Sequence, residues 1–142
     1  MPGLARLARS LGLTPYGLAF HVGSQTMDPR AWDGPIRHCA QIMTALAADG
    51  ITLAMPDVGG GFPVRYDADP PPLADFSAAI RSAAARLPYP VQLACEPGRA
   101  IAASATTNHP PPSSTFSSSI AIGVSLLVRE VAQMTCDPVS RL

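Results

Sequence analysis

Three short apolar runs, each closed by a polar, glycine-bearing turn and separated by segments of helical period, constrain this chain more than any other feature. The first run, Gly17-Leu18-Ala19-Phe20-His21-Val22, has strand length and is apolar almost throughout. The second covers Ile51 to Val58 and ends in Gly59-Gly60-Gly61-Phe62-Pro63, which neither a strand nor a helix continues comfortably. The third is Val91-Gln92-Leu93-Ala94-Cys95, ending at Glu96-Pro97-Gly98-Arg99. Between the first two, Asp28-Pro29 supplies a helix cap with proline in the first turn, and Gly34-Pro35 delays the start. Ile36, Cys39, Ala40, Met43, Leu46 and Ala47 then keep helical spacing to a stop at Gly50. Leu73, Phe76, Ile80, Ala83, Ala84 and Leu87 mark one face of the next helix, closed by Pro88. Apolar runs alternating with helices make βαβ units, so the expected fold class is α/β with a parallel sheet covered by helices.

The 142 residues suffice for one domain. Because a (β/α)8 barrel takes about 250 residues, three such units with a preceding helix over Leu4 to Leu11 make less than half of one. If the parent fold is a TIM-type barrel, residues 1–105 are a piece of it. Residues 106–119, rich in proline, serine and threonine, read as a linker. Residues 120–142 form an irregular tail without assignment, in which Ile120 to Met134 could make a short helix or strand.

Composition removes several function classes. Ten basic residues balance ten acidic ones, which leaves no electrostatic footprint for nucleic acid or an anionic membrane. Every one of the ten is arginine, so no side chain here can supply an amine nucleophile or a Schiff base. Cys39, Cys95 and Cys136 are widely spaced with no CxxC, which suggests neither a disulfide framework nor a metal site. The N-terminus lacks the pattern of a secretory signal, and the run from Ile120 to Val128 is short of the roughly 20 residues that span a bilayer. The expected compartment is the cytoplasm.

Parallel α/β folds place their sites at the carboxyl ends of strands. Here those ends carry His21, Gly23 and Ser24, then Asp57 and three glycines, then Glu96, Gly98 and Arg99. Successive glycines let backbone amides converge on an anion, and a serine hydroxyl with an arginine would complete a phosphate cradle. A carboxylate nearby suits a ring nitrogen better than a phosphate. Each element alone has an ordinary explanation: a hydrogen-bonded histidine, a tight turn, a β-turn with a surface ion pair. Their succession along one βα array points to a shared site.

His21-Val22-Gly23-Ser24-Gln25, Gly59-Gly60-Gly61-Phe62-Pro63 and Glu96-Pro97-Gly98-Arg99, in this order, resemble the barrel domain of the pyridoxal-phosphate-dependent ornithine, lysine, diaminopimelate and arginine decarboxylases with the alanine-racemase-like fold. The resemblance covers about Leu4 to Ala105, and Phe62-Pro63 after the glycines favours the ornithine side over diaminopimelate. It implies pyridoxal 5'-phosphate as cofactor. His21 would stack on the pyridine ring, Ser24 would contact the phosphate, and Gly59, Gly60, Gly61, Gly98 and Arg99 would donate backbone hydrogen bonds to it. Glu96 would pair with the pyridine nitrogen and keep it protonated, so that the ring accepts the electrons left when CO2 departs.

Intact relatives, as the resemblance implies, are homodimers that convert a small amino acid such as ornithine or lysine to its amine, ornithine to putrescine in polyamine biosynthesis. They hold the cofactor through a lysine that this sequence lacks, and carry a C-terminal substrate domain that nothing after Ala105 resembles. A Cys136-Asp137 pair stands at the wrong distance to belong to it. The first expectation is an inactive fragment of an ornithine-type decarboxylase, with a diaminopimelate decarboxylase fragment as its alternative. A non-catalytic homologue that binds and regulates a full-length decarboxylase is a second, and a bare pyridoxal-phosphate binder a third.

Overall fold

A computed structural model describes residues 2–66, 68–105 and 124–129. Helix α1 (Pro2–Ser10) leads into strand β1 (Thr14–Phe20), a 3₁₀ turn (Pro29–Trp32) and helix α2 (Asp33–Ala48). Strand β2 (Met55–Asp57), helices α3 (Leu73–Ala84) and α4 (Gly98–Ala105), and strand β3 (Val124–Arg129) follow.

Local chemistry accounts for most boundaries. Asp28 caps the 3₁₀ turn by accepting from the Arg30 amide at 2.9 Å, and Pro29 takes the first position, where no amide is needed. The continuous helix begins only at Asp33, after that turn. Ile36, Cys39, Met43 and Leu46 form the buried stripe of α2, and Phe76, Ile80 and Ala83 that of α3. Leu73, expected on the same face of α3, is instead 60% exposed in its first turn. At the end of α2, Gly50 turns left-handed while the Ile51 amide donates to the Leu46 carbonyl at 2.9 Å. Asp33 accepts from both Arg37 and Arg86, which ties α2 to the end of α3 and holds its carboxyl below the usual range.

The sheet order is β2-β1-β3, and it is mixed rather than all parallel. β1 runs parallel to β2, pairing Gly17 with Met55 and Ala19 with Asp57, whereas β3 lies antiparallel on its other edge, with Leu126 opposite Leu18. The tail therefore contributes a regular strand. Its remaining residues, like the linker expected over 106–119, lie outside the described ones. The second strand shrinks to three residues, with Pro56, which has no amide to donate, at its centre. The third run does not become a strand. Set between Pro90 and Pro97, it follows β2 through bonds from the Gln92 amide to Ala54 and the Ala94 amide to Pro56, with one parallel bridge between Asp57 and Ala94.

The structure is thus an α/β arrangement with one parallel pair, a third segment in parallel register and an antiparallel addition. No helix among the described residues is long and apolar enough to cross a membrane. Cys39 is buried in the core, where loss of solvent pushes its thiol up to about 11, while Cys95 is exposed. Iodoacetamide at neutral pH is expected to alkylate Cys95 in the folded chain and leave Cys39 unmodified until denaturant is added. Peptide mass mapping checks this, and equal labelling of the two would contradict the burial.

Candidate functional site

The loops after β1, after β2 and after the 91–95 segment meet at one end of the sheet. Their contact is backbone to backbone. A Cβ added at Gly59 would lie 2.1 Å from the Phe20 carbonyl oxygen, one at Gly60 2.6 Å from that of Glu96, and one at Gly61 2.1 Å from that of Gly23. Side chains on those glycines would wedge the three loops apart, which is the physical reason for a run of three. The Glu96 amide donates to the Gly59 carbonyl at 2.9 Å, and the Thr26 amide to that of Gly61 at 3.0 Å.

Aromatic packing supports this loop layer. The Trp32 ring stacks on Phe62 with centroids 5.1 Å apart, and Phe76 meets both edge-on. The Trp32 indole N–H donates to the Val58 carbonyl at 3.1 Å, immediately before the glycines. The floor of the site is therefore continuous with the core.

A small cavity of about 40 Å³ opens between the loops, lined by Ser24, Gln25, Gly61, Glu96, Gly98 and Arg99 among others. His21 lies beside it, its Cε1 3.5 Å from the point a Cβ on Gly60 would occupy. The side chains of His21, Ser24 and Glu96 are exposed and make no hydrogen bond among the described residues. Arg99 reaches the Tyr66 hydroxyl at 3.5 Å.

All eight residues singled out in the sequence come to this one end, but their amides differ in availability. Gly59 donates to Asp57 Oδ1 at 2.8 Å and Gly98 to the Glu96 carbonyl at 2.8 Å, so both are engaged within the protein. Gly60 is buried, and its amide, like that of Gly61, has no acceptor among the described residues. Arg99 lies in the first turn of α4, whose amide-rich end favours an anion. The free Gly61 amide, the first turn of α4, the Ser24 hydroxyl and the Arg99 guanidinium stand around one cavity, with the free Gly60 amide next in sequence, and such groups are able to accommodate an anion. The unpaired Glu96 carboxylate at its border is an acceptor suited to a protonated aromatic nitrogen, and the His21 imidazole offers a plane suited to a ring face. The residues present fit a phosphorylated pyridine cofactor.

Sequence reasoning missed α4, having taken Glu96-Pro97-Gly98-Arg99 only as the end of the third strand, with a β-turn as its ordinary explanation. Its signal was the alanine-rich run after Pro97, a strong helix former. It also missed the two bonds between the Gln25 side chain and the Val64 backbone, which have no local sequence signature.

Comparison with known proteins gives this geometry a context. Residues 1–103 match the family described as pyridoxal-dependent decarboxylase, pyridoxal binding domain. An ornithine decarboxylase of Neurospora crassa is 45% identical over 60 residues, covering 42% of this chain and 12% of its own length. A diaminopimelate decarboxylase of Helicobacter pylori is 36% identical over 96 residues, 67% of this chain and 23% of the relative. The crystal structure of lysine/ornithine decarboxylase from Vibrio vulnificus, complexed with putrescine, superposes with a TM-score of 0.63 at 37% identity. That match covers 69% of this chain and 28% of the other, so the chain spans a small part of the proteins it resembles.

Proposed function

The chain belongs to the pyridoxal-dependent decarboxylases through their pyridoxal-binding domain, and on that footing we propose that its strand-end loops bind the cofactor of an amino-acid decarboxylase of ornithine type. The cofactor of the family is pyridoxal phosphate. The free amides of Gly60 and Gly61, the first turn of α4 at Arg99 and the Ser24 hydroxyl would hold the phosphate. Glu96 would accept from the pyridine N–H and keep that nitrogen protonated, and His21 would cover one ring face. When bound, the group supplies an electron sink for the bond that releases CO2. Orientation is this chain's own contribution: an anchored phosphate and a fixed ring nitrogen leave the cofactor one pose.

The observation that carries this reading is the Gly61 amide, free of any acceptor among the described residues, on a residue that lines one cavity together with Ser24, Glu96 and Arg99. The ornithine assignment draws on Phe62-Pro63 and on the 45% identity to an ornithine decarboxylase. Lysine and diaminopimelate are the competing substrates: the lysine/ornithine decarboxylase is named for lysine as well as ornithine, and the diaminopimelate decarboxylase matches at lower identity but over 67% of this chain against 42%. The 142 residues hold no lysine, so any side-chain amine that links to the cofactor comes from outside them.

Fluorescence titration of the purified chain with pyridoxal phosphate tests the reading. Saturable binding is expected, weakened by roughly tenfold in Ser24→Ala and in Glu96→Ala, the loss of one hydrogen bond to a charged group in each. No CO2 is expected from ornithine, and borohydride should fix no cofactor to a lysine. Binding unchanged in both variants would remove these residues from the site, and turnover by this chain would overturn the argument from its missing amine.

A further inference from the structure

Gln25 makes a contact that none of the roles above uses. Its side-chain amide nitrogen donates to the Val64 carbonyl at 2.9 Å, and its oxygen accepts from the Val64 amide at 2.9 Å. A single planar side chain thus reproduces both bonds of a strand pair, joining the loop after β1 to the loop after β2 across 39 residues of sequence. The backbone at Gln25 has φ of +56°, and it is the one non-glycine residue with positive φ among those described. That conformation costs on the order of 1 kcal/mol, and the paired bonds to Val64 offset it. The neighbouring Thr26 adds its amide to the Gly61 carbonyl and its hydroxyl to that of Gly23, so four bonds bridge or brace the same two turns.

We propose that Gln25 is a positioning residue that clamps the Ser24 loop to the glycine loop and so fixes the spacing of the anion receptor they share. The inference rests on the phosphate-binding reading above and deepens it. Ser24 precedes the clamp by one residue and Gly61 precedes its other end by three, so slippage at Gln25–Val64 moves the two sides of the receptor relative to each other. The side chain acts on the spacing of donors and touches no reacting atom.

Two variants of the full chain test this. Gln25→Met keeps the length and removes both bonds, whereas Gln25→Glu keeps the acceptor but sets a carboxylate against the Val64 carbonyl. A carboxyl held there protonates above its ordinary value of about 4.3, and once protonated it has one donor and one acceptor, as glutamine does. Gln25→Met is expected to bind pyridoxal phosphate about tenfold more weakly at every pH, with pyridoxal, which lacks the phosphate, unaffected. Gln25→Glu should show the same loss at pH 7 and recover toward wild type in acid. His21, Arg65, Glu96 and Arg99, the titratable groups nearby, are common to all three proteins, so the ratio to wild type at each pH removes their contribution.

Hydrogen exchange at the Val64 amide in the free chain gives a readout independent of cofactor, and it should accelerate in Gln25→Met. Unchanged exchange there would show that the clamp does not hold in solution and would overturn the proposal. Faster exchange with unchanged affinity for the phosphorylated cofactor would overturn it as well, by separating the clamp from the receptor. A wild-type chain that binds no pyridoxal phosphate would remove the phosphate-binding reading and this proposal with it, while the Val64 exchange still reports whether the two loops are clamped.

Discussion

Gly61→Ala is expected to lower the melting temperature of the chain by roughly 10 °C or more, the equivalent of about 3 kcal/mol in a domain of this size. Two penalties add. The backbone at Gly61 has φ of +97°, where an L side chain is strained, and the new Cβ would stand 2.1 Å from the Gly23 carbonyl oxygen and 3.0 Å from Val22 Cγ2. Strain of this kind costs on the order of 1–2 kcal/mol and overpacking a further 1–3. Neither can relax cheaply, because the obstacle at 2.1 Å is backbone that also takes a hydrogen bond from Thr26. Gly98→Ala is the matched control, since a Cβ there meets nothing within 4 Å. Calorimetry of both variants beside the wild type decides the matter. A Gly61→Ala chain that melts with the wild type would show that the strand-end loops have slack, and the receptor built from them would lose its claim to rigidity.

The elements legible in the sequence were those whose signals are local. The stripe of Ile36, Cys39, Met43 and Leu46 shows the helical period directly, and Asp28-Pro29 and Gly50 mark its ends by backbone chemistry that needs no tertiary partner. The convergence of His21, the glycines and Glu96 followed from topology, because parallel order brings consecutive strand ends to one side. What could not be read was pairing at a distance. Nothing within Val124–Arg129 specifies an antiparallel partner in Thr14–Phe20, and choosing it depends on β1 having an unpaired edge. The 91–95 run failed as a strand for a related reason: β2 offers it only a short edge around Pro56, and the prolines at 90 and 97 limit its length. Within the site, the residues that converge at the strand ends were visible, but which amides remain free was not. Asp57 takes the Gly59 amide and the Glu96 carbonyl takes that of Gly98, contacts set by the folded loops alone.

The second large effect is expected at Trp32, where Trp32→Ala should cost about 3–5 kcal/mol, a large share of the 5–15 kcal/mol that stabilises an ordinary domain. Trp32 is fully buried, and three interactions depend on its ring: the stack on Phe62, the edge contact with Phe76 and the bond from its N–H to Val58. Truncation leaves a cavity under the glycine loop and an unpaired carbonyl beside it, so destabilisation and loss of the proposed anion receptor share one cause. Trp32→Phe separates the contributions, since it retains much of the ring packing and forfeits the hydrogen bond, at about 1–3 kcal/mol for the carbonyl left unsatisfied. Urea unfolding of the two variants should rank them in that order with similar m-values. Pyridoxal phosphate affinity, measured where both are still folded, should fall in the same order, because Phe62 follows Gly61 directly and moves with the floor it packs on. A Trp32→Ala chain with wild-type stability would mean that the three rings do not form the core of this fold, and wild-type affinity in a destabilised variant would mean that the receptor is held by Gln25 and Thr26 without the aromatic layer beneath it.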